Sequence, residues 1–391
     1  MLMLIQEVEI CNPGYRGKGD IFIVNDRIVQ IAERIVPPGG LGEVRTLPGK
    51  GLLAVPGFID QHVHLIGGGG EGGPTSRTPE IKLSQLTTAG ITTVVGLLGV
   101  DGVTRHMADL LAKARSLELE GISTYIYTGA YQLPTRTLTG SVRSDLVLID
   151  KVLGTGEIAL SDHRSAQPSV EELAHLAAES RVGGLIGGKP GIVHLHIGLG
   201  KERLNQLFEV VNRTDLPITQ MVPTHVNRSG RLFEQAMEFV RTGGWIDLTA
   251  GITPENDSPE SLATPKAIRL LVDEDIPLER VTMSSDGNGS LPRFDNGGNL
   301  VGMEVGSVKV LWEDICKAVK EEGVPLETAL RLITVNPARL LGLHPQKGTV
   351  SVGADADLVL LTPGLEIDAV IAKGRVLVQG GQAIVKGSFE E

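Results

Sequence analysis

Two cysteines, Cys11 and Cys316, in 391 residues exclude a disulfide-stapled fold and a cysteine-rich metal site. They read most simply as free thiols in a reducing compartment. Aromatic residues make up only 3% of the chain, so the core has to be packed from Val, Leu, Ile and Ala. Basic residues are in deficit, 36 against 47 acidic, and the net charge of -11 excludes a general attraction to nucleic acid or anionic lipid. No uninterrupted apolar run is long enough to cross a bilayer. The first ten residues, MLMLIQEVEI, carry no basic flank, and Gln6, Glu7 and Glu9 interrupt their apolar run, so no signal peptide is read there. The expected location is the cytoplasm.

What the chain has is length and glycine. At 391 residues it exceeds what one hydrophobic core usually organises, so a large domain with a smaller companion is expected. Its 50 glycines imply many tight connections. The first 55 residues alternate short β-type runs with turns, as in Met3 to Ile10, Asp20 to Val24 and Arg27 to Ala32. The last stretch repeats the pattern at Ala356 to Leu361, Ile367 to Ala372, Gly374 to Val378 and Gln382 to Val385. Residues 1–55 and 347–391 are therefore expected to form one β-domain from both termini, a small β-sandwich, around a catalytic domain at 56–346.

In that central region short apolar runs alternate with amphipathic segments, which is the signature of βα units with a parallel sheet. Strands are expected at Leu53 to Ile59, Thr92 to Leu98, Ile122 to Thr128, Glu157 to Ser161, Ile192 to His196, Ile218 to Thr224, Trp245 to Leu248 and Arg280 to Ser285. Eight units suit a closed (β/α)8 barrel of the TIM type, in which chemistry sits at the C-terminal strand ends.

Polar residues at those ends are consequently the ones to weigh. His62 and His64 follow the first strand, and side chains two apart on an extended segment point the same way. His196 ends the fifth strand, His225 the sixth and Asp286 the eighth. Four histidines and an aspartate on one rim form a metal-ligand constellation. By contrast, His106 and His175 fall in helical segments, His344 follows the last barrel helix, and His194 is expected to point away from the site or sit a layer below it. His163 is left open. The run Gly67 to Gly73, interrupted only by Glu71, follows the first strand as a loop in which a backbone can approach a ligand while one carboxylate projects into it.

Pro56-Gly57-Phe58-Ile59-Asp60-Gln61-His62-Val63-His64, the strand-end histidines and aspartate, and Gly353-Ala354-Asp355-Ala356-Asp357-Leu358-Val359 together resemble the amidohydrolase superfamily. Within it, Gly67 to Gly73, Thr128-Gly129-Ala130-Tyr131, Ser161-Asp162-His163-Arg164-Ser165, Pro223-Thr224-His225-Val226-Asn227-Arg228 and Ser284 to Ser290 resemble the isoaspartyl dipeptidase family over nearly the whole chain. The resemblance implies a metallo-dipeptidase with two divalent cations, usually Zn2+, held by His62, His64, His196, His225 and Asp286, and a hydroxide shared between them as nucleophile. It also implies Asp286 as general base and then acid, and Tyr131 as hydrogen-bond donor to the oxyanion. The implied substrate is an isoaspartyl dipeptide, with Glu71 on its ammonium, Gly69 as a further substrate-binding residue, and Arg164, Arg228 and Ser290 binding carboxylates. A homo-oligomer is implied as well.

Two departures from the family pattern stand out. Where the family carries a carboxylated lysine as bridging ligand this chain has Glu157, already a carboxylate, and the nearest preceding lysine, Lys151, is expected to lie outside the site. Where the family has a pocket threonine this chain has Val100, which removes a hydroxyl. The competing readings are an amidohydrolase acting on another N-acyl amino acid or a cyclic amide, and a non-catalytic scaffold of the same fold.

Overall fold

The computed structural model describes residues 1–37, 39–40, 42–294 and 300–391. Six strands, Phe58–Val63, Ile91–Gly96, Ser123–Thr128, Val152–Leu160, Ile192–Ile197 and Met221–Thr224, pair in sequence order as one parallel sheet. Two more, Ile246–Thr249 and Val281–Ser284, pair in parallel with each other. The ring closes through a parallel bridge between Val63 and Gly287, just past the eighth strand. Buried polar contacts complete it. Asp247 on the seventh strand accepts from Gln61 Nε2, Thr224 Oγ1 and Thr282 Oγ1 at 2.7 Å each and from Ser284 Oγ at 2.5 Å, so one carboxylate stitches the first, sixth, seventh and eighth strands. Helices between the strands, such as Met107–Glu120, Val170–Gly187 and Gly230–Arg241, cover the outside with their apolar faces.

A nine-stranded sheet is built from both ends of the chain. Leu2–Cys11, Tyr15–Val24, Arg27–Ala32, Val44–Pro48 and Leu53–Pro56 come from the front, and Leu358–Leu361, Ile367–Ala372, Arg375–Gln379 and Gln382–Ala383 from the back. Leu358–Leu361 runs antiparallel to Leu53–Pro56, which joins the two halves. This sheet has a core of its own that includes Met3, Ile5, Val8, Ile21, Ile23, Leu358 and Ile371. The fold is a (β/α)8 barrel beside a small β-sandwich of both termini.

Two barrel strands depart most from their expected extents, for physical reasons, while Ile218 to Thr224 is shortened to Met221–Thr224 behind a 3-10 turn. The run Leu53 to Ile59 divides at Gly57: Leu53–Pro56 joins the terminal sheet and Phe58–Val63 opens the barrel. A Cβ at Gly57 would lie 2.2 Å from Thr92 Oγ1, so the chain crosses between domains where only glycine fits. The fourth strand begins at Val152, five residues before Glu157, because Gly154 and Gly156 hide its start from any count of apolar residues.

Candidate active site

Local geometry at the strand ends brings the ligand-type residues together. His62 Nε2 lies 3.5 Å from Glu157 Oε1 and 3.3 Å from Asp286 Oδ1. His64 Nε2 lies 3.8 and 3.1 Å from the same two oxygens. On the other side, His196 Nδ1 and His225 Nε2 are 3.2 and 3.5 Å from Glu157 Oε2. One buried carboxylate therefore turns each of its oxygens to a different pair of imidazoles. Among the described residues, three overlapping groups have ligand atoms within 4.8 Å of one another: His62, His225 and Asp286; His62, His64 and Glu157; and Glu157, His196 and His225.

These residues fit a pair of divalent cations. The Nε2 atoms of His62 and His225 are buried and have no hydrogen-bond partner among the described residues, although each faces carboxylate oxygens. An all-N/O donor set with several imidazoles suits ions such as Zn2+. The outer nitrogens are fixed: His62 Nδ1 lies 2.9 Å from His194 Nε2, and His225 Nδ1 lies 2.6 Å from Thr249 Oγ1. Such outer contacts set the ring and leave the inner nitrogen facing the centre. Burial, with Arg228 nearby, pushes the His225 imidazole well down and keeps it in its neutral, ligating form. Burial also opposes a charge on His62, but Glu157 and Asp286 outweigh it and raise that imidazole well above its ordinary range. Positive charge is thus favoured between these carboxylates, whether a proton or a cation supplies it.

Backbone geometry supports the same centre. His225 and Asp286 are non-glycine residues at φ +61° and +51°, an unfavourable conformation that commonly marks functional positions. Below them Asp60, wholly buried, accepts from the His62 backbone at 3.3 Å and from Ser285 N and Oγ at 3.2 and 2.5 Å, locking the first strand to the eighth. Burial raises its carboxyl to about 6.

Above this floor opens a cavity of about 480 Å³ whose wall includes Glu71, Tyr131, Arg164, Arg228 and Ser290. The Tyr131 hydroxyl lies 2.8 Å from His196 Nδ1, and burial, reinforced by Glu157, raises its pKa so that it stays a phenol able to donate. Arg164 donates to Glu71 Oε1 at 3.0 Å and stacks over the Tyr131 ring at 5.5 Å. Arg228 Nη1 lies 3.3 Å from His196 Nε2, and its Nε is 3.5 Å from Asp257 Oδ1. Ser290 Oγ is buried without a partner among the described residues. Gly69, at φ +74°, packs its backbone so closely on Ser290 that a Cβ there would lie 2.5 Å from Ser290 Cβ. Val100 lines the wall as an aliphatic surface.

The residues implied as cation ligands, catalytic groups and substrate contacts meet here. His106, His175 and His344 are exposed and outside the cavity wall. His163 stands on the rim with its side chain 90% exposed. Lys151 immediately precedes the fourth strand, at the end away from the site, donating to the Thr124 carbonyl at 2.9 Å and pairing with Glu118. His194 does sit a layer below the rim, yet it touches the centre through His62. Three residues escaped sequence reasoning. Asp162 and Asp257 pair with the two arginines. Arg105, 7% exposed, donates to the carbonyls of Ile66, Gly68 and Thr78 and so pins the loop that carries Glu71. The signal for Asp162 was its place inside the Ser161-Asp162-His163-Arg164 motif; Asp257 and Arg105 had none.

Comparison with known proteins agrees with this geometry. Residues 53–377 match the amidohydrolase family, and the chain belongs to that family of hydrolases. The structure superposes with a TM-score of 0.89 on a beta-aspartyl dipeptidase from the thermophilic, keratin-degrading Fervidobacterium islandicum AW-1, solved in complex with the beta-Asp-Leu dipeptide. The two are 47% identical, with 98% of each chain covered, so the chain groups with the beta-aspartyl dipeptidases of the family. A D-hydantoinase shares the fold at a TM-score of 0.70 and 18% identity, over 100% of this chain and 98% of that one. Human N-acetylglucosamine-6-phosphate deacetylase is 38% identical over 72 residues only, 18% of this chain and 18% of that protein. Among the described residues no helix is long and apolar enough to cross a membrane.

Proposed function

We propose that this chain hydrolyses isoaspartyl dipeptides at a centre of two divalent cations, Zn2+ in the first instance, with Glu157 as the bridge. One observation carries the reading: Glu157 divides its two oxygens between two histidine pairs, beneath a cavity whose wall includes Glu71, Arg164, Arg228 and the buried phenol of Tyr131. His62, His64, His196, His225 and Asp286 would complete the cation site. When bound, the cations supply Lewis acidity and lower the pKa of water.

The chain's own residues do the rest. Asp286 takes a proton from the attacking water and later gives it to the departing amine nitrogen. Tyr131 donates its phenolic hydrogen to the carbonyl oxygen as negative charge develops there. A β-linked dipeptide presents a free α-ammonium and two carboxylates. Glu71 suits the ammonium, and Arg164 and Arg228 fork onto carboxylates with Ser290 Oγ as a further donor. Val100 favours one second reading, a related N-acyl amino acid or cyclic amide, because an aliphatic wall offers the substrate no hydroxyl. A cytoplasmic homo-oligomer remains part of the proposal.

The test is a panel of α- and β-linked aspartyl and glutamyl dipeptides, with and without chelator. Chelator-sensitive cleavage restricted to β-linked aspartyl dipeptides is expected. Preference for α-linked or uncharged N-acyl substrates refutes the assignment.

A further inference from the structure

One carboxylate beside the cavity has no part in the reading above. Asp162 lies just past the fourth strand, 8% exposed, and all of its contacts are directed. Its Oδ2 accepts from His196 Nε2 at 3.1 Å and from Arg164 Nη2 at 2.8 Å. Its Oδ1 accepts from Arg164 Nε at 3.0 Å and from the Arg164 backbone at 2.8 Å. His163 Nδ1 is a looser neighbour at 3.5 Å on the solvent side.

Each contact removes a specific freedom. An imidazole has two nitrogens, and only the one that is not donating offers a lone pair to a cation. Asp162 makes the shortest contact to His196 Nε2, with Arg164 Nη2 and Arg228 Nη1 at 3.3 Å; with Nε2–H assigned to that carboxylate, His196 presents Nδ1 to Glu157 Oε2 at 3.2 Å, towards the centre of the site. Arg164 has a rigid fork of donors. Two of them, Nε and Nη2, are committed to Asp162, so Nη1 is the one that reaches into the cavity, where it now meets Glu71.

We propose that Asp162 is a positioning residue that couples the cation site to substrate recognition, fixing His196 for ligation and Arg164 for carboxylate binding through one side chain. The substrate half rests on the proposed function; the cation half does not. Removing Asp162 therefore disturbs two properties that separate active-site parts would keep independent.

The experiment uses the full chain loaded with Zn2+ and compares wild type with Asp162→Ala and Asp162→Asn. Metal retained per chain is followed against increasing chelator, and KM and kcat are measured on β-Asp-Leu. In Asp162→Ala one of the two ions is expected to be lost about 10- to 100-fold more readily, as for other outer partners of ligating histidines. Asp162→Asn keeps a carbonyl oxygen for the His196 N–H, so its retention should stay near wild type, while KM rises in both variants because Arg164 loses its charged anchor. Wild-type retention in Asp162→Ala overturns the cation half, and wild-type KM in both variants overturns the coupling. If wild type does not cleave β-Asp-Leu, the substrate assignment fails, yet the retention comparison still decides the role of Asp162 at His196. Should Asp162→Ala not fold, a wild-type KM in Asp162→Asn overturns the proposal.

Discussion

Replacing Glu157 with alanine tests the centre most directly. Its Oε1 lies 3.5 and 3.8 Å from His62 and His64, and its Oε2 lies 3.2 and 3.5 Å from His196 and His225, so one truncation takes an anionic oxygen from both cation positions. Asp286 is then the one carboxylate left in the ligand groups. Loss of a hydrogen-bond partner outside the ligand shell costs about 10- to 100-fold in metal affinity, so loss of a charged ligand shared by two ions should cost at least about 100-fold for each. That corresponds to about 2.7 kcal/mol per ion. Equilibrium dialysis against buffered Zn2+, followed by elemental analysis, reads this directly. Glu157→Gln should fall between, keeping a neutral oxygen on one side. Activity of the wild type should also be indifferent to removal of bicarbonate, because this carboxylate belongs to the chain and is not formed from CO2. Two ions per chain in Glu157→Ala at wild-type dialysis conditions would refute the bridging geometry.

Asp286→Asn should keep metal bound but lose most turnover, since an amide oxygen can still ligate while no proton can be shuttled; near-normal kcat would remove that role. Tyr131→Phe should lower kcat about 10²- to 10³-fold with little change in KM, the usual effect of losing one oxyanion donor, and steady-state kinetics decide it. Glu71→Gln and Arg228→Met should each reduce kcat/KM on β-Asp-Leu while metal content stays unchanged; wild-type kinetics in both would remove the isoaspartyl assignment. Lys347→Met, away from the site, takes from half-buried Asp355 and buried Asp357 the ammonium now 2.7 and 2.6 Å from them, although Asp355 keeps Arg27. A broken buried pair costs about 3–5 kcal/mol, which a lowered thermal midpoint would report. Burial opposes the Lys347 charge, but Asp357 and Asp355 prevail and raise its pKa, so this contribution is complete below the ordinary lysine range and is lost only as pH climbs through the raised value.

Much of this arrangement was legible in the sequence because strands have a strict period of two. His62 and His64 had to share a face, and strand-end positions in successive βα units had to share a rim. What stayed hidden depends on contacts between distant segments. His194 and His196 share a face as well, but only the approach of the first strand makes His194 Nε2 a neighbour of His62 Nδ1 at 2.9 Å. Asp162 was visible as part of a motif, whereas its grip on His196 requires the fourth and fifth strands to be placed side by side. Arg105 gave no signal, because its partners are three backbone carbonyls and sequence does not show where carbonyls point. The strand edges blurred where glycine replaced a side chain that would have kept the alternation.

The contact between Glu71 and Arg164 at 3.0 Å has a consequence for selectivity. Before a guest arrives, the entrance is already neutralised by its own opposite charges. A zwitterion that inserts itself merely exchanges one set of ionic neighbours for another, so the net Coulomb gain is small. Choice among peptides of equal charge must then come from whether both ends can be reached at once while the scissile bond rests over the candidate cation site, a question of span.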